Sequence, residues 1–258
     1  MKKSFFLMAA VLFFAACNKQ QTQPLNERYK ALEDAVYAAL EELPTTEQRD
    51  SAIQAYVEAS YELLVENLNK PYSDSLFVQV YQMLDREQKK FVFESLKEPY
   101  SQMPEVQQAK TLFEAEEATS AGCIYTDVVA QLADGTPMAL STWVGKTDFV
   151  LVDFWASWCG PCRRLLPHLK ALYEQYNPVG KLEIIGLSCD RDSTQWQKAI
   201  QDAELQWPQL VDKGGDEEGP YSKYGVVSIP TTILIDAEGK IIFRNPSHEE
   251  LEAFLGQL

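Results

Sequence analysis

Phe149-Val150-Leu151-Val152-Asp153-Phe154 runs without a break into Trp155-Ala156-Ser157-Trp158-Cys159-Gly160-Pro161-Cys162, and this stretch decides the fold of its half of the chain. The first six residues are nearly all apolar, the pattern of a strand buried on both faces. After Cys162, Leu165, Leu166, Leu169, Leu172, Tyr173 and Tyr176 recur at helical spacing. The Cys-x-x-Cys therefore sits where a strand ends and a helix begins. A helix N-terminus carries unsatisfied N–H groups and a positive partial charge. Cys159 can thus ionise more readily than a free thiol, whose pKa is about 8.5, and act as a nucleophile. Cys162, one turn on, is placed to attack the resulting mixed disulfide. Gly160 and Pro161 set the turn, and proline is tolerated there because first-turn N–H groups have no intrahelical partner.

Other uses of two cysteines fit less well. A zinc site needs two more ligands, and there is no second Cys-x-x-Cys or spaced histidine pair. His168, further along the same helix, reads as a surface or packing residue. A c-type haem needs a histidine directly after Cys162, where Arg163 stands. Neither a metal nor a cofactor is expected.

Val152 to Cys162 resembles the active-site segment of the thioredoxins. The resemblance implies a thioredoxin-like fold, a central mixed sheet flanked by helices, and an exchange of dithiol for disulfide. It makes Asp153 the buried acid that helps deprotonate Cys162, Pro167 the proline that kinks the active-site helix, and Trp158 a residue that shields the thiolate and meets the substrate. Ser228-Ile229-Pro230-Thr231-Thr232 is similar to the family's cis-proline loop, which implies that the Ile229 backbone and Pro230 hold an extended substrate beside Cys159.

Around this centre, Tyr125 to Leu132 and Met138-Ala139-Leu140 flank an Asp134-Gly135 turn and read as a hairpin. Lys181 to Leu187 is another buried strand. A helix from Ser193 to Ala203 and a strand at Gln209-Leu210-Val211 form an insertion. Ala237 to Lys240 is a turn, followed by a strand from Ile241 to Arg244 and a helix from Glu249 to Leu255. Hairpin and insertion together resemble the membrane-tethered TlpA/ResA/DsbE group over about residues 122–258. That group shares ancestry with the peroxiredoxins, so a thiol peroxidase is a rival reading. Peroxiredoxins, however, carry Thr or Ser three residues before the reactive cysteine, where this chain has Ala156. Cys-Gly-Pro-Cys is the motif of reducing thioredoxins, which favours a reductase over an oxidant or isomerase.

Towards the N-terminus, Leu25 to Ser120 contains no cysteine, histidine or glycine, which favours helix. Tyr29, Leu32, Val36, Ala39 and Leu40 form one stripe. Thr46 is expected to cap a second run with Ile53, Tyr56, Val57, Ser60, Tyr61, Leu64 and Leu68 on one face. Shorter helices are expected over Ser73–Leu84 and Asp85–Leu96, and a last one from Pro104 to about Thr119. These stripes read as core, although a partner-binding face would look the same. The part from Asn69 to Gly122 is similar to the helical stretch preceding the thioredoxin module in many lipid-anchored proteins of Bacteroidota.

Residues 1–16 form a signal pattern, with Lys2 and Lys3 ahead of an apolar run too short to span a bilayer. Phe14-Ala15-Ala16-Cys17 resembles a lipobox, which implies lipidation at Cys17, a tether over 17–24 and a place in the cell envelope facing the periplasm. The expected domains are then a helical one over 25–121 and the thioredoxin-like one over 122–258. Expected partners are proteins with dithiols or disulfides and a membrane electron donor. A net charge of −15, from 23 basic and 38 acidic residues, argues against nucleic acid. Cys123 and Cys189 remain. Cys123 opens the first expected strand, taken as the neighbour of the strand that Cys189 ends, so they are either paired or free and buried.

Overall fold

The computed structural model describes residues 23–71, 73–212 and 219–257. The expected signal segment 1–16, the lipidation at Cys17 and most of the tether lie outside the described residues. Two compact units divide inside one helix, between Lys110 and Thr111.

The first unit is helical. Helices α1 (Leu25–Glu42), α2 (Thr46–Asn67), α3 (Ser73–Val80), α4 (Arg86–Ser95) and the opening of α5 (Pro104–Ala118) are joined by short turns. Leu43-Pro44 ends α1, since the residue before proline avoids helical geometry. The cap of α2 is Thr45 rather than the expected Thr46: its hydroxyl accepts from the Gln48 N–H at 3.3 Å, and Thr46 is already helical. Asp85 and Gln88 close a reciprocal capping box on α4. Tyr29, Leu32 and Val36 are buried as their spacing predicts. On α2 the buried stripe runs through Ala52, Tyr56, Ala59, Leu63 and Leu64, and Ile53 is 46% exposed. The burial of Ala52 and Ala59 rotates the stripe away from Ile53. Leu76, Phe77, Val80, Tyr81, Val92 and Val106 complete the core. Its central polar contact is Tyr29 Oη to Tyr56 Oη at 2.6 Å.

The second unit is a seven-stranded mixed sheet in the order β2-β1-β5-β4-β3-β6-β7. The strands are β1 (Val129–Gln131), β2 (Pro137–Ala139), β3 (Phe149–Trp155), β4 (Leu182–Ser188), β5 (Gln209–Val211), β6 (Thr231–Asp236) and β7 (Ile241–Arg244). β3, β4 and β5 run parallel, and the remaining pairings are antiparallel. Helix α6 (Gly160–Tyr176) follows β3, α7 (Ser193–Asp202) follows β4, the short α8 (Pro220–Lys223) precedes β6, and α9 (His248–Gly256) closes the chain. This is the expected thioredoxin-like sheet with a hairpin and an αβ insertion, preceded by a helical region.

Strand alternation sorts the two faces of the sheet. Val150, Val152 and Phe154 pack with Ile185, Leu187, Ile233 and Tyr224. Leu151 packs on the other face with Leu166, Leu169 and Leu172 of α6 and with Leu251 and Leu255 of α9. The end of α5 belongs to this unit. Arg244 donates from Nη1 to Thr119 Oγ1 at 3.1 Å and from Nη2 to the Tyr224 carbonyl at 2.9 Å. Gly225 has φ +58, and a Cβ there would come within 2.3 Å of the Leu112 carbonyl. The unit therefore begins at Thr111, upstream of the composition change at Gly122.

The placement of Cys123 differs from the expectation. β1 neighbours β5 rather than β4, because the insertion supplies an intervening strand. The Cys123 carbonyl instead accepts from Ile241 N–H of β7, at the opposite edge of the sheet. Cys189, just past β4, is separated from that edge by β3 and β6, a lateral span of about 14 Å. A disulfide needs Cα atoms within about 7 Å. Both thiols are free, and both are half-buried rather than buried.

Candidate active site

The site forms where β3 gives way to α6. Cys159 is the N-cap of α6, and its Sγ accepts from the Cys162 N–H at 3.1 Å. Cys159 and Cys162 are joined as a disulfide. A sulfur that accepts from a first-turn N–H at the positive end of a helix is where a thiolate is stabilised once the bond is reduced. Pro161 lies in the first turn, and Pro167 inside the helix leaves the Arg163 carbonyl without its usual N–H donor. An added Cβ at Gly160 would meet only the Arg164 guanidinium, at an ordinary 3.7 Å.

Both sulfurs lie in an apolar nest. Cys159 is 4% exposed, and the groups around the pair are Trp155, Ala156, Trp196 and Val211, with Ile229 and Cys189 at the margin. Trp196 comes from α7 and Val211 from β5, so the insertion helps to wall the disulfide. Trp158 is 67% exposed. Ile229-Pro230 is a cis peptide, and the Ile229 carbonyl lies 3.8 Å from Cys159 Sγ.

Asp153 is buried at 2% exposure in the middle of β3. It shares a sheet face with Leu151, which packs on α6, and with Trp155, which packs on the cysteines. It therefore lies beneath the start of α6. Burial alone pushes its carboxyl from 3.8 up to about 7, and Oδ1 has no hydrogen-bond partner.

Three further residues shape the site, and the sequence carried no signal for them. Asp190, just past β4, accepts from Ser157 N–H at 2.8 Å, Ser157 Oγ at 2.6 Å and Ser188 Oγ at 2.7 Å. It thereby clamps the loop that leads to Cys159. The Tyr221 hydroxyl lies 3.0 Å from the Trp155 carbonyl and 2.9 Å from the Leu187 carbonyl, tying the ends of β3 and β4. Gln209 accepts from Trp155 Nε1 at 3.1 Å. Burial raises the Cys189 thiol pKa, and its bond to Tyr221 opposes that rise. Among the described residues no three His, Cys, Asp or Glu side chains converge to hold a metal ion.

Residues 146–241 match the model of a family described as thioredoxin-like. The chain is 32% identical over 149 residues to the thiol-disulfide oxidoreductase ResA of Bacillus cereus strain ATCC 10987, covering 57% of this chain and 83% of that one. It is 30% identical over 129 residues to ResA of Geobacillus thermodenitrificans, covering 50% and 71%. Among solved structures, the thioredoxin domain of a thiol-disulfide oxidoreductase from Bacteroides vulgatus is 30% identical at a TM-score of 0.49, covering 54% of this chain and 96% of that one.

Proposed function

The chain belongs to the ResA family of thiol-disulfide oxidoreductases, and from that premise we propose that it works as a reductase of protein disulfides on the outer side of a membrane. Its activity is thiol-disulfide exchange at the Cys159–Cys162 pair. The observation that carries the proposed mechanism is the pairing of a sulfur capping α6 with a buried carboxyl, its Oδ1 without a partner, beneath the same helix end.

In the proposed cycle the Cys159 thiolate attacks one sulfur of a substrate disulfide and expels the other as a thiolate. Asp153 takes the proton from Cys162, whose thiolate attacks Cys159 Sγ and releases the second substrate sulfur. The substrate gains two electrons, and the protein is left with the Cys159–Cys162 disulfide. A donor dithiol must then return the pair to its reduced form, and a membrane partner is the proposed source. Trp158 offers an exposed apolar face for the substrate, and the cis Ile229-Pro230 segment holds the substrate backbone beside Cys159. Gly160, Pro161 and Pro167 support the shape of the helix start.

Location follows from the N-terminal sequence: a signal segment over 1–16 and lipidation at Cys17 would tether the domains in the cell envelope, facing the periplasm. Among the described residues no helix is long and apolar enough to cross a membrane. The direction of electron flow is tested by the reduction potential of the Cys159–Cys162 pair. A value near −270 mV supports the reductase, and one near −120 mV replaces it with an oxidant. Metabolic labelling with palmitate, lost in Cys17→Ala, tests the anchor.

A further inference from the structure

One row of the sheet crosses four strands through residues in direct register: Thr232 on β6, Asp153 on β3, Gly186 on β4 and Gln209 on β5. Residues paired in this way point to the same face, here the face that carries α6 and the disulfide. Gly186 leaves a gap in the row, and the Gln209 carboxamide fills it. A Cβ on Gly186 would lie 2.2 Å from Gln209 Oε1 and 2.6 Å from Nε2. The carboxamide thus sits over the strand next to Asp153, about one strand spacing of 4.8 Å from it.

Trp155 fixes which way the carboxamide faces. An indole N–H can only donate, so the Gln209 atom it meets at 3.1 Å is the oxygen. That leaves Nε2, a donor, buried without a partner, while Asp153 Oδ1, an acceptor, is buried without one in the same row. Orphaned polar groups are rare in protein interiors, and a complementary pair in adjacent columns calls for a shared explanation.

We propose that Gln209 is a positioning residue for Asp153: held over Gly186 by Trp155, it donates from Nε2 to the Asp153 carboxylate across one internal water and favours its charged form. This rests on the reading of Asp153 as acceptor of the Cys162 proton, and it names what lets so buried a carboxyl ionise near neutrality. The other titratable groups packed near Asp153 are Cys159 and Cys162 on α6, Cys189 past β4, and Tyr221 on α8, whose hydroxyl feels the Asp153 charge. β6 and β4 contribute Thr232 and Gly186, which do not titrate.

The test is a carbon-13 NMR titration of the Asp153 carboxyl in the reduced full-length protein, the signal being the one that Asp153→Asn removes. Loss of a hydrogen bond to a charged group should raise the midpoint by about one pH unit in Gln209→Leu. The charge-neutral Gln209→Leu carries the test, because a carboxyl at this position would raise the midpoint by like-charge repulsion whatever Gln209 does. A role limited to supporting Trp155 predicts no movement of the midpoint in Gln209→Leu, and an unmoved midpoint in that folded variant overturns the proposal. The reading it rests on is checked separately, by the pH profile of insulin disulfide reduction. If Asp153→Asn leaves that profile unaltered, the proton-acceptor role fails, whatever the titration shows for Gln209.

Discussion

The two compact units bury polar groups very differently. In the helical unit the core is mostly apolar, and the buried polar atoms include Ser60 Oγ, Arg28 Nε, the Tyr81 hydroxyl bonded to the Ala109 carbonyl, and the mutually bonded hydroxyls of Tyr29 and Tyr56. In the sheet unit Asp153, Ser188, Asp190, Thr231 and Thr232 are all buried, close to the disulfide or in register with Asp153. A buried carboxylate costs free energy unless its surroundings compensate. Asp190 is compensated by its donors, whereas Asp153 is displaced towards its neutral form. The helical unit keeps its core mostly apolar, whereas the sheet unit holds a carboxyl displaced towards its neutral form, the group to which the proposed cycle assigns the Cys162 proton.

The largest effect should come from breaking the exchange centre. In Cys159→Ser, insulin disulfide reduction by the full-length protein should fall to background, and retention of turnover would place the activity elsewhere. Asp153→Asn should separate the units by their response to pH. An aspartate held at about 7 in the fold and titrating near 3.8 in the unfolded chain makes the native state bind the extra proton between those values. Stability is then complete at low pH and falls as pH rises through 7. Full displacement corresponds to about 4 kcal/mol. The variant should therefore be more stable than its parent by up to about 4 kcal/mol at pH 8.5 and by less than about 1 kcal/mol near pH 4, as read by urea denaturation.

Leu64→Ala, at a fully buried position of α2, should cost about 3 kcal/mol in the helical unit while the folded protein keeps its turnover. A loss of turnover at a temperature where the variant is folded would give the helical unit a part in catalysis. The smallest effects should come from the two capping boxes, Asp85 with Gln88 in one unit and Ser247 with Glu250 in the other. Alanine at Asp85 or Ser247 should each lower the thermal midpoint by an amount equivalent to about 1 kcal/mol. Unequal costs would show that one helix end gains additional support from its surroundings.

Much of the molecule was legible because its signals are local. The six-residue apolar run of β3, the Cys-x-x-Cys after it and the glycine-free helical half follow from spacing along the chain. The spacing puts Ile53 on the buried face of α2 and the structure does not, because alanines carry too little hydrophobic signal to show which way a helix turns. Cys123 lies ahead of β1 and pairs with β7 rather than beside β4, a long-range pairing that spacing along the chain does not encode. Asp190, Tyr221 and Gln209 carry no local signal, because polar residues near strand ends look alike until their partners are known.

By itself the sequence determined the strand-to-helix junction, the pair of cysteines on it and the identity of the acid six residues before. These depend on backbone period and on chemistry carried within one segment. Only the tertiary structure decided that Asp153 lies under the start of α6, that the insertion walls the disulfide with Trp196 and Val211, and that Gln209 fills the space left by Gly186. Those facts depend on which strands lie side by side, and burial, which moves the Asp153 carboxyl, exists only once they do.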